Sequence, residues 1–357
     1  MEPSNETLAL LDQLPMPVFL VKDKVITHIN QAAQPYSLTQ GMSVSELIYL
    51  GKSEYDSFEE GRLLLTLQIE NQLYNSSVVK IESFDLFCLE SVFQNPELKI
   101  LALAAQNLRD PLSCAMVNIE KILPSASIEA SDELKDQIAQ LNRNLYQLHR
   151  IVGNMSDAAI YNFRQGAKKE LCEAVAFVAE IVKKVATLTE ATGIRIELDL
   201  LNKPVFCQMD TEMVERSVLN LLSNAIKFSP KDSTIRVSMT SSNEKLYIKV
   251  QNGGIGNDRR LQNDFFSRFL REPGLDDSRT GIGLGMTFVR GTAAAHGGVV
   301  LIEQPAGEGL RFTMSFSLAH GNNISLHSPV ALPVDYTGGY DHALIELSDL
   351  LPPALFK

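Results

Sequence analysis

The sequence predicts an α+β protein in three parts: a small α+β module, an antiparallel pair of long helices, and an α/β-sandwich domain with a tail behind it. Three observations carry this. Residues 8–92 hold short β-branched runs separated by turn residues. Over residues 97–163, apolar side chains recur at alternating steps of four and three. Over residues 169–318, helical and strand-like stretches are interrupted by two glycine motifs. A length of 357 residues accommodates two or three domains. With 45 % hydrophobic and 21 % charged residues, the balance is that of a folded chain rather than a disordered one.

In the first module, Pro17–Val21 and Val25–Asn30 flank Lys22-Asp23-Lys24, a hairpin pattern. Further strands are expected over 64–70, 76–83 and 84–93. The stretch from Leu10 to Ala33 resembles the opening of a PAS-type sensor fold, which implies a PAS-like sensor domain over 8–92. An unrelated α+β cap would share the strand pattern.

In the second part, one apolar seam runs through Leu101, Ala105, Leu108, Leu112, Ala115, Ile119 and Ile122. Another follows through Leu134, Ile138, Leu141, Leu145, Leu148, Val152, Met155 and Ala159. Pro124 and the stretch to Ser131 are expected to break the helix between them. Each helix of such a hairpin keeps an uncovered apolar side. Two copies then pair into a homodimeric four-helix bundle; the alternative is packing against the chain's own domains.

In the third part, helices are expected over 172–192, 211–228 and 285–296. Strands are expected over 194–200, 235–240, 246–251, 299–303 and 310–318. The tail, 319–357, carries prolines and a short amphipathic stretch from Ala343 to Leu351, and reads as a partly ordered extension or docking segment.

The formal net charge of −11 speaks against non-specific nucleic-acid binding. No stretch approaches the ~20 apolar residues that span a bilayer, and the N-terminus lacks a basic leader, so a cytoplasmic location is expected. Cys88, Cys114, Cys172 and Cys207 are far apart in sequence, without a CxxC pair, and read as reduced, mostly buried thiols.

Three motifs carry chemistry. On a helix, Asn220 and Asn224 project from one face, where two amides can hold a hydrated Mg²⁺ and phosphate oxygens. Lys227 adds a positive charge beside them. Asn252, Gly253, Gly254 and Gly256 close a strand with a turn that a flat base can approach. Gly281, Gly283, Leu284 and Gly285 open a helix and offer backbone N–H groups to phosphates.

In this order the motifs resemble the N, first-glycine and second-glycine boxes of the Bergerat-fold (GHKL) ATPases, specifically the sensor histidine kinases. Phe265–Phe269 resembles the F box, and Met209-Asp210 and Ala295–Gly298 also fit. The resemblance covers residues 97–318. It implies ATP and Mg²⁺ as cofactors, with Asn224 as the metal ligand and Asn220 and Lys227 facing the phosphates. Residues 257–280 would be the lid over ATP, although their charge run is also that of a solvated loop. His296 would support a turn. A response-regulator receiver domain is the implied downstream partner.

The resemblance fails at the acceptor box. Residues 105–112 keep Leu108, Arg109, Pro111 and Leu112, but Gln106 stands where the family has histidine and Asn107 where it has a carboxylate base. A carboxamide nitrogen is delocalised and cannot attack phosphorus as imidazole does. Asp110 would repel a phosphoaspartate where the family often has Asn or Thr. Asn252 replaces the family's adenine-binding Asp, and weaker but surviving ATP affinity follows. The expectation is a degenerate histidine kinase that binds ATP/Mg²⁺ and signals as a dimer. The alternative is an active phosphotransferase with a displaced acceptor, in a partner or at His149. A hairpin midpoint at 127.5 would put His149 level with Gln106; an ordinary bundle-surface histidine is the plainer reading.

Overall fold

A computed structural model describes residues 5–81, 83–90, 96–129, 131–160, 167–242, 244–254, 284–305, 309–318 and 339–357. The N-terminal module begins with helix α1 (Asn5–Asp12) and the hairpin of β1 (Val18–Lys22) and β2 (Val25–Ile29), as the β-branched runs predict. Two short helices, α2 (Val44–Leu47) and α3 (Lys52–Asp56), flank β3 (Ile48–Leu50). An antiparallel meander follows: β4 (Arg62–Ile69), β5 (Gln72–Ile81) and β6 (Phe84–Glu90). Phe19, Leu63, Leu65, Leu67, Val78 and Phe87 fill its core, with the rings of Phe19 and Phe87 stacked 4.9 Å apart.

Two long helices come next, α4 (Pro96–Glu129) and α5 (Asp132–Ile160), packed against one another. The expected break at Pro124 does not occur. A proline removes one backbone bond at a cost of about 3 kcal/mol, and the 34-residue helix runs past it to Glu129. The first helix thus ends at Glu129 and the second begins at Asp132.

The third part starts with a two-stranded antiparallel sheet that periodicity does not reveal, β7 (Glu170–Glu173) with β9 (Phe206–Met209). Between them lie α6 (Ala174–Thr189) and β8 (Arg195–Asp199). Then come α7 (Thr211–Lys227), β10 (Thr234–Ser242), β11 (Lys245–Gln251), α8 (Leu284–Ala295), β12 (Val300–Glu303) and β13 (Arg311–Ser317). Alternate residues of the strands face the helices, as a period of two requires: Ile235, Val237 and Met239 on β10, and Leu246, Ile248 and Val250 on β11, are all buried. A last short helix, α9 (His342–Glu346), lies in the tail.

The modules, distinct in sequence, share one sheet. Its 11 strands run β2-β1-β6-β5-β4-β12-β13-β11-β10-β8, with β3 beside β4. The junction is an antiparallel pairing of β4 with β12: Val300 opposite Leu64, Leu301 opposite Leu63, Ile302 opposite Arg62. Gly61 permits it. Its φ is +92°, and a Cβ there would lie 2.2 Å from the Ile302 carbonyl oxygen. Polar contacts reinforce the junction. Lys245 on β11 pairs with the buried Glu54 of α3, which also accepts from Ser315 Oγ at 3.0 Å. Arg290 on α8 donates to the carbonyls of Leu65 and Ser76 at 3.0 Å each.

The cysteines depart from expectation. Cys172 and Cys207 face each other across β7 and β9. Of the four thiols, all unbridged, only Cys207 is buried, and Cys114 is exposed.

Candidate functional site

The site forms where α7, the end of β11 and the start of α8 meet. Asp210 caps α7, its carboxylate accepting from Met213 N–H at 3.1 Å and from Lys168 N–H at 2.7 Å. The leucine stripe of α7, Val218, Leu219, Leu221 and Leu222, is buried, which fixes the helix rotation. That rotation sets Asn220 and Asn224 one turn apart, with Asn224 Nδ2 donating to Asn220 Oδ1 at 3.2 Å. With its NH₂ engaged there, the Asn224 carboxamide offers a carbonyl oxygen, a donor type that Mg²⁺ takes. Lys227 closes the last turn, its Nζ 5.9 Å from the Phe228 ring centroid.

Helix α8 abuts this face through a glycine. A Cβ on Gly285 would stand 2.4 Å from the Asn220 amide, so a side chain there would displace the asparagine. Two further contacts hold the helices together. Ser217 Oγ donates to Thr292 Oγ1 at 2.8 Å, and the Arg216 guanidinium lies 4.6 Å from the Phe288 ring centroid.

Asn252 and Gly254 stand just past β11. Asn252 is buried, its N–H bonds the Leu310 carbonyl at 3.0 Å, and its Oδ1 accepts from Gly254 N–H at 3.3 Å. Two participants escaped the motif reading. Ser229 Oγ accepts from Gly253 N–H at 3.0 Å and donates to the Ala225 carbonyl at 2.7 Å, tying the end of α7 to the glycine turn. Gly309 lies against Asn252, where a Cβ would come within 1.8 Å of Oδ1. Ser229 directly follows the N-box run, and that proximity was its only signal; Gly309 had none.

His296 ends α8. Its Nε2 accepts from Asp210 N–H at 2.9 Å and its Nδ1 faces the Thr292 carbonyl at 2.6 Å. That pairing requires the neutral ring with the proton on Nδ1. Burial holds the imidazole below its ordinary value, against the Thr292 carbonyl that favours the charged form. The histidine thus joins the end of α8 to the start of α7.

Gly256, Gly281, Gly283, the F-box residues 265–269 and the expected lid, 257–280, lie outside the described residues. Gln106, Asn107 and Asp110 are exposed on α4, and Arg109 is half-buried. His149 does not lie where the hairpin arithmetic put it. The residue level with Gln106 is Met155, because the two lie equally far from the helix ends Glu129 and Asp132. His149 stands six residues nearer the start of α5, about 9 Å at ~1.5 Å per residue. It is also only 5 % exposed, with its ring 6.2 Å from that of Tyr340 in the tail.

As a donor set, two carboxamides one helical turn apart, a lysine and a glycine turn beside a buried carboxamide fit a magnesium-bound nucleotide.

Residues 209–320 match the family model described as histidine kinase-, DNA gyrase B-, and HSP90-like ATPase. Among curated proteins, the sensor protein KdpD of Mycobacterium tuberculosis is 29 % identical over 228 residues, covering 62 % of this chain and 26 % of KdpD. The adaptive-response sensory kinase SasA of Gloeothece citriformis is 27 % identical, covering 60 % of this chain and 56 % of SasA. The chain thus spans between about a quarter and about half of the length of these relatives. Among solved structures, full-length ShkA in complex with AMPPNP aligns with a TM-score of 0.49 and 18 % identity, over 62 % of this chain and 47 % of that one. Residues 209–320 thus carry a domain of the histidine kinase-, DNA gyrase B-, and HSP90-like ATPase family, and the chain around it is similar to sensor histidine kinases.

Proposed function

We propose that this protein binds ATP with Mg²⁺ in the α7–α8 site and signals as a dimer through conformation, without phosphorylating its own hairpin. The observation that carries the nucleotide reading is the Asn220–Asn224 pair with Gly285 packed against it. Asn224 would ligate the metal, Asn220 and Lys227 would face the phosphates, and the turn at Asn252 and Gly254 would receive the base. Bound Mg²⁺ would supply charge neutralisation at the phosphates. The exposed amide of Gln106 supplies no nucleophile, and exposed Asn107 no carboxylate base.

The dimer reading rests on a line of exposed apolar residues along the hairpin: Leu108, Leu141 and Leu148 are 50 %, 49 % and 48 % exposed. By family, a receiver domain of a response regulator is the partner that would read the conformation. Among the described residues no helix is long and apolar enough to cross a membrane. A displaced acceptor at His149 finds little support, because that ring is buried beneath the tail.

Thermal denaturation with ATP, with and without Mg²⁺, tests the nucleotide reading. Millimolar Mg·ATP raises the melting temperature by several degrees, as ligand excess over Kd requires. Asn224→Ala reduces that shift by the equivalent of about tenfold in affinity, the loss of a charge-assisted contact. No shift in the parent protein refutes the reading.

A further inference from the structure

The tail segment 339–357 is packed between parts of the fold that the motifs treat as separate. Its helix α9 is five residues long, capped by Asp341, whose carboxylate accepts from Ala343 N–H at 2.9 Å. A helix this short does not hold its shape alone in water. Its conformation therefore comes from what it touches.

On the hairpin side, the tail lies along one stripe of α5. Asn142 donates to the Phe356 carbonyl at 2.9 Å, Arg143 to the Ser348 carbonyl at 2.8 Å, and Arg150 to Asp349 at 2.6 Å. The ring of Phe356 sits 5.1 Å from that of Tyr146. On the nucleotide-domain side, His342 bonds the α7 residue Glu215 at 2.7 Å, and Asp341 pairs with Lys184 of α6 at 2.9 Å.

Both sides meet at Glu346. Its carboxylate, in a residue only 1 % exposed, accepts from Arg150 of α5 at 3.3 Å and from Arg216 of α7 at 3.4 Å. Arg216 is the residue that stacks on Phe288 of α8, so the same guanidinium touches hairpin, tail and both helices of the candidate site; its Nη2 also donates to Asn154 of α5 at 3.1 Å. A carboxylate buried between two cations is an all-or-none contact: withdrawing it leaves two desolvated charges facing one another.

We propose that residues 339–357 form a releasable clamp that fixes the position of the nucleotide-binding domain relative to the second hairpin helix, with Glu346 as the carboxylate common to both. The clamp lies on the α5 stripe of Ala139, Asn142, Tyr146 and His149, and leaves Leu141 and Leu148 exposed. Docking of the tail and pairing of two hairpins are therefore compatible. The domain changes its position against the hairpin only when this segment lets go. The proposal stands on the tail contacts and is independent of what the α7–α8 site binds.

Pulsed electron–electron spin resonance tests it. Spin labels on the exposed Cys114 of α4 and on an Arg236→Cys variant of β10, with Cys88 and Cys172 replaced by serine and labelled chains diluted into unlabelled ones, report the hairpin-to-domain distance. The intact tail gives one narrow distance distribution. Truncation after residue 338 broadens it, a synthetic peptide of residues 339–357 narrows it again, and Glu346→Gln in the full chain broadens it at least twofold. An unchanged distribution in the truncated chain, a broadening that the peptide does not reverse, or a Glu346→Gln chain identical to the parent overturns the proposal.

Discussion

In the proposed function, Asn252 is where a single atom decides an affinity. Its carboxamide is buried and its Oδ1 already accepts from Gly254 N–H, so the turn it stabilises is formed before any base arrives. What the amide lacks is charge, and charge-assisted hydrogen bonds are roughly twice as strong as neutral ones. Asn252→Asp should therefore tighten ATP binding by roughly tenfold, about 1.4 kcal/mol, as measured by calorimetric titration with Mg·ATP; unchanged or weaker binding would separate Asn252 from the base. The identities of the motif residues were readable from the chain. Gly309 was not, because its role comes from contact with Asn252 across 57 positions, and a glycine in a strand-flanking loop has many possible reasons to be there.

At the scale of the element, α5 carries two stripes rather than one. Leu134, Leu141 and Leu148, on the stripe read from the periodicity, remain about half-exposed, while Ala139, Asn142, Tyr146 and His149 are buried. The second stripe was illegible because it contains Asn and His, which a hydrophobic pattern does not count, and because its cover comes from a tail some 200 positions away. The helix boundaries around it were legible except at Pro124, where the length of α4 outweighs one lost hydrogen bond. The exposed leucines make a sharp expectation. Leu141→Lys combined with Leu148→Lys should convert a dimer into a monomer in analytical ultracentrifugation, since charges on a paired seam are desolvated without partners. A parent chain that is monomeric at tens of micromolar, or a variant that stays dimeric, would contradict the pairing of hairpins.

Over the whole molecule, the sheet passes from the N-terminal module into the nucleotide-binding domain without interruption. The longer strands were foreseeable from their own residues, though the short β3, β7 and β9 were not, and neither was the β4–β12 junction: edge pairing depends on backbone groups that every strand has, and only Gly61 hints at it, afterwards. The junction has a pH signature. Burial alone would raise the Glu54 carboxyl, yet hydrogen bonding and charge from Lys245, with help from Ser53, hold it below its ordinary 4.5. A carboxyl with a depressed folded value contributes stability that is complete above about pH 4.5 and is lost as the pH falls through the folded value. Denaturation followed from pH 7 to pH 3 should show a steeper acid decline in the parent than in Glu54→Gln, which has no proton to take up at that position; parallel curves would remove Glu54 from the account.

The proposed function is a nucleotide clamp beside a hairpin with an amide, Gln106, at the expected acceptor position. Incubation with γ-labelled ATP and Mg²⁺ measures this most directly. The account predicts no acid-labile label on the parent chain under conditions where Mg·ATP stabilises it thermally. Acid-labile phosphate on the parent chain, whichever residue carries it, would contradict the account.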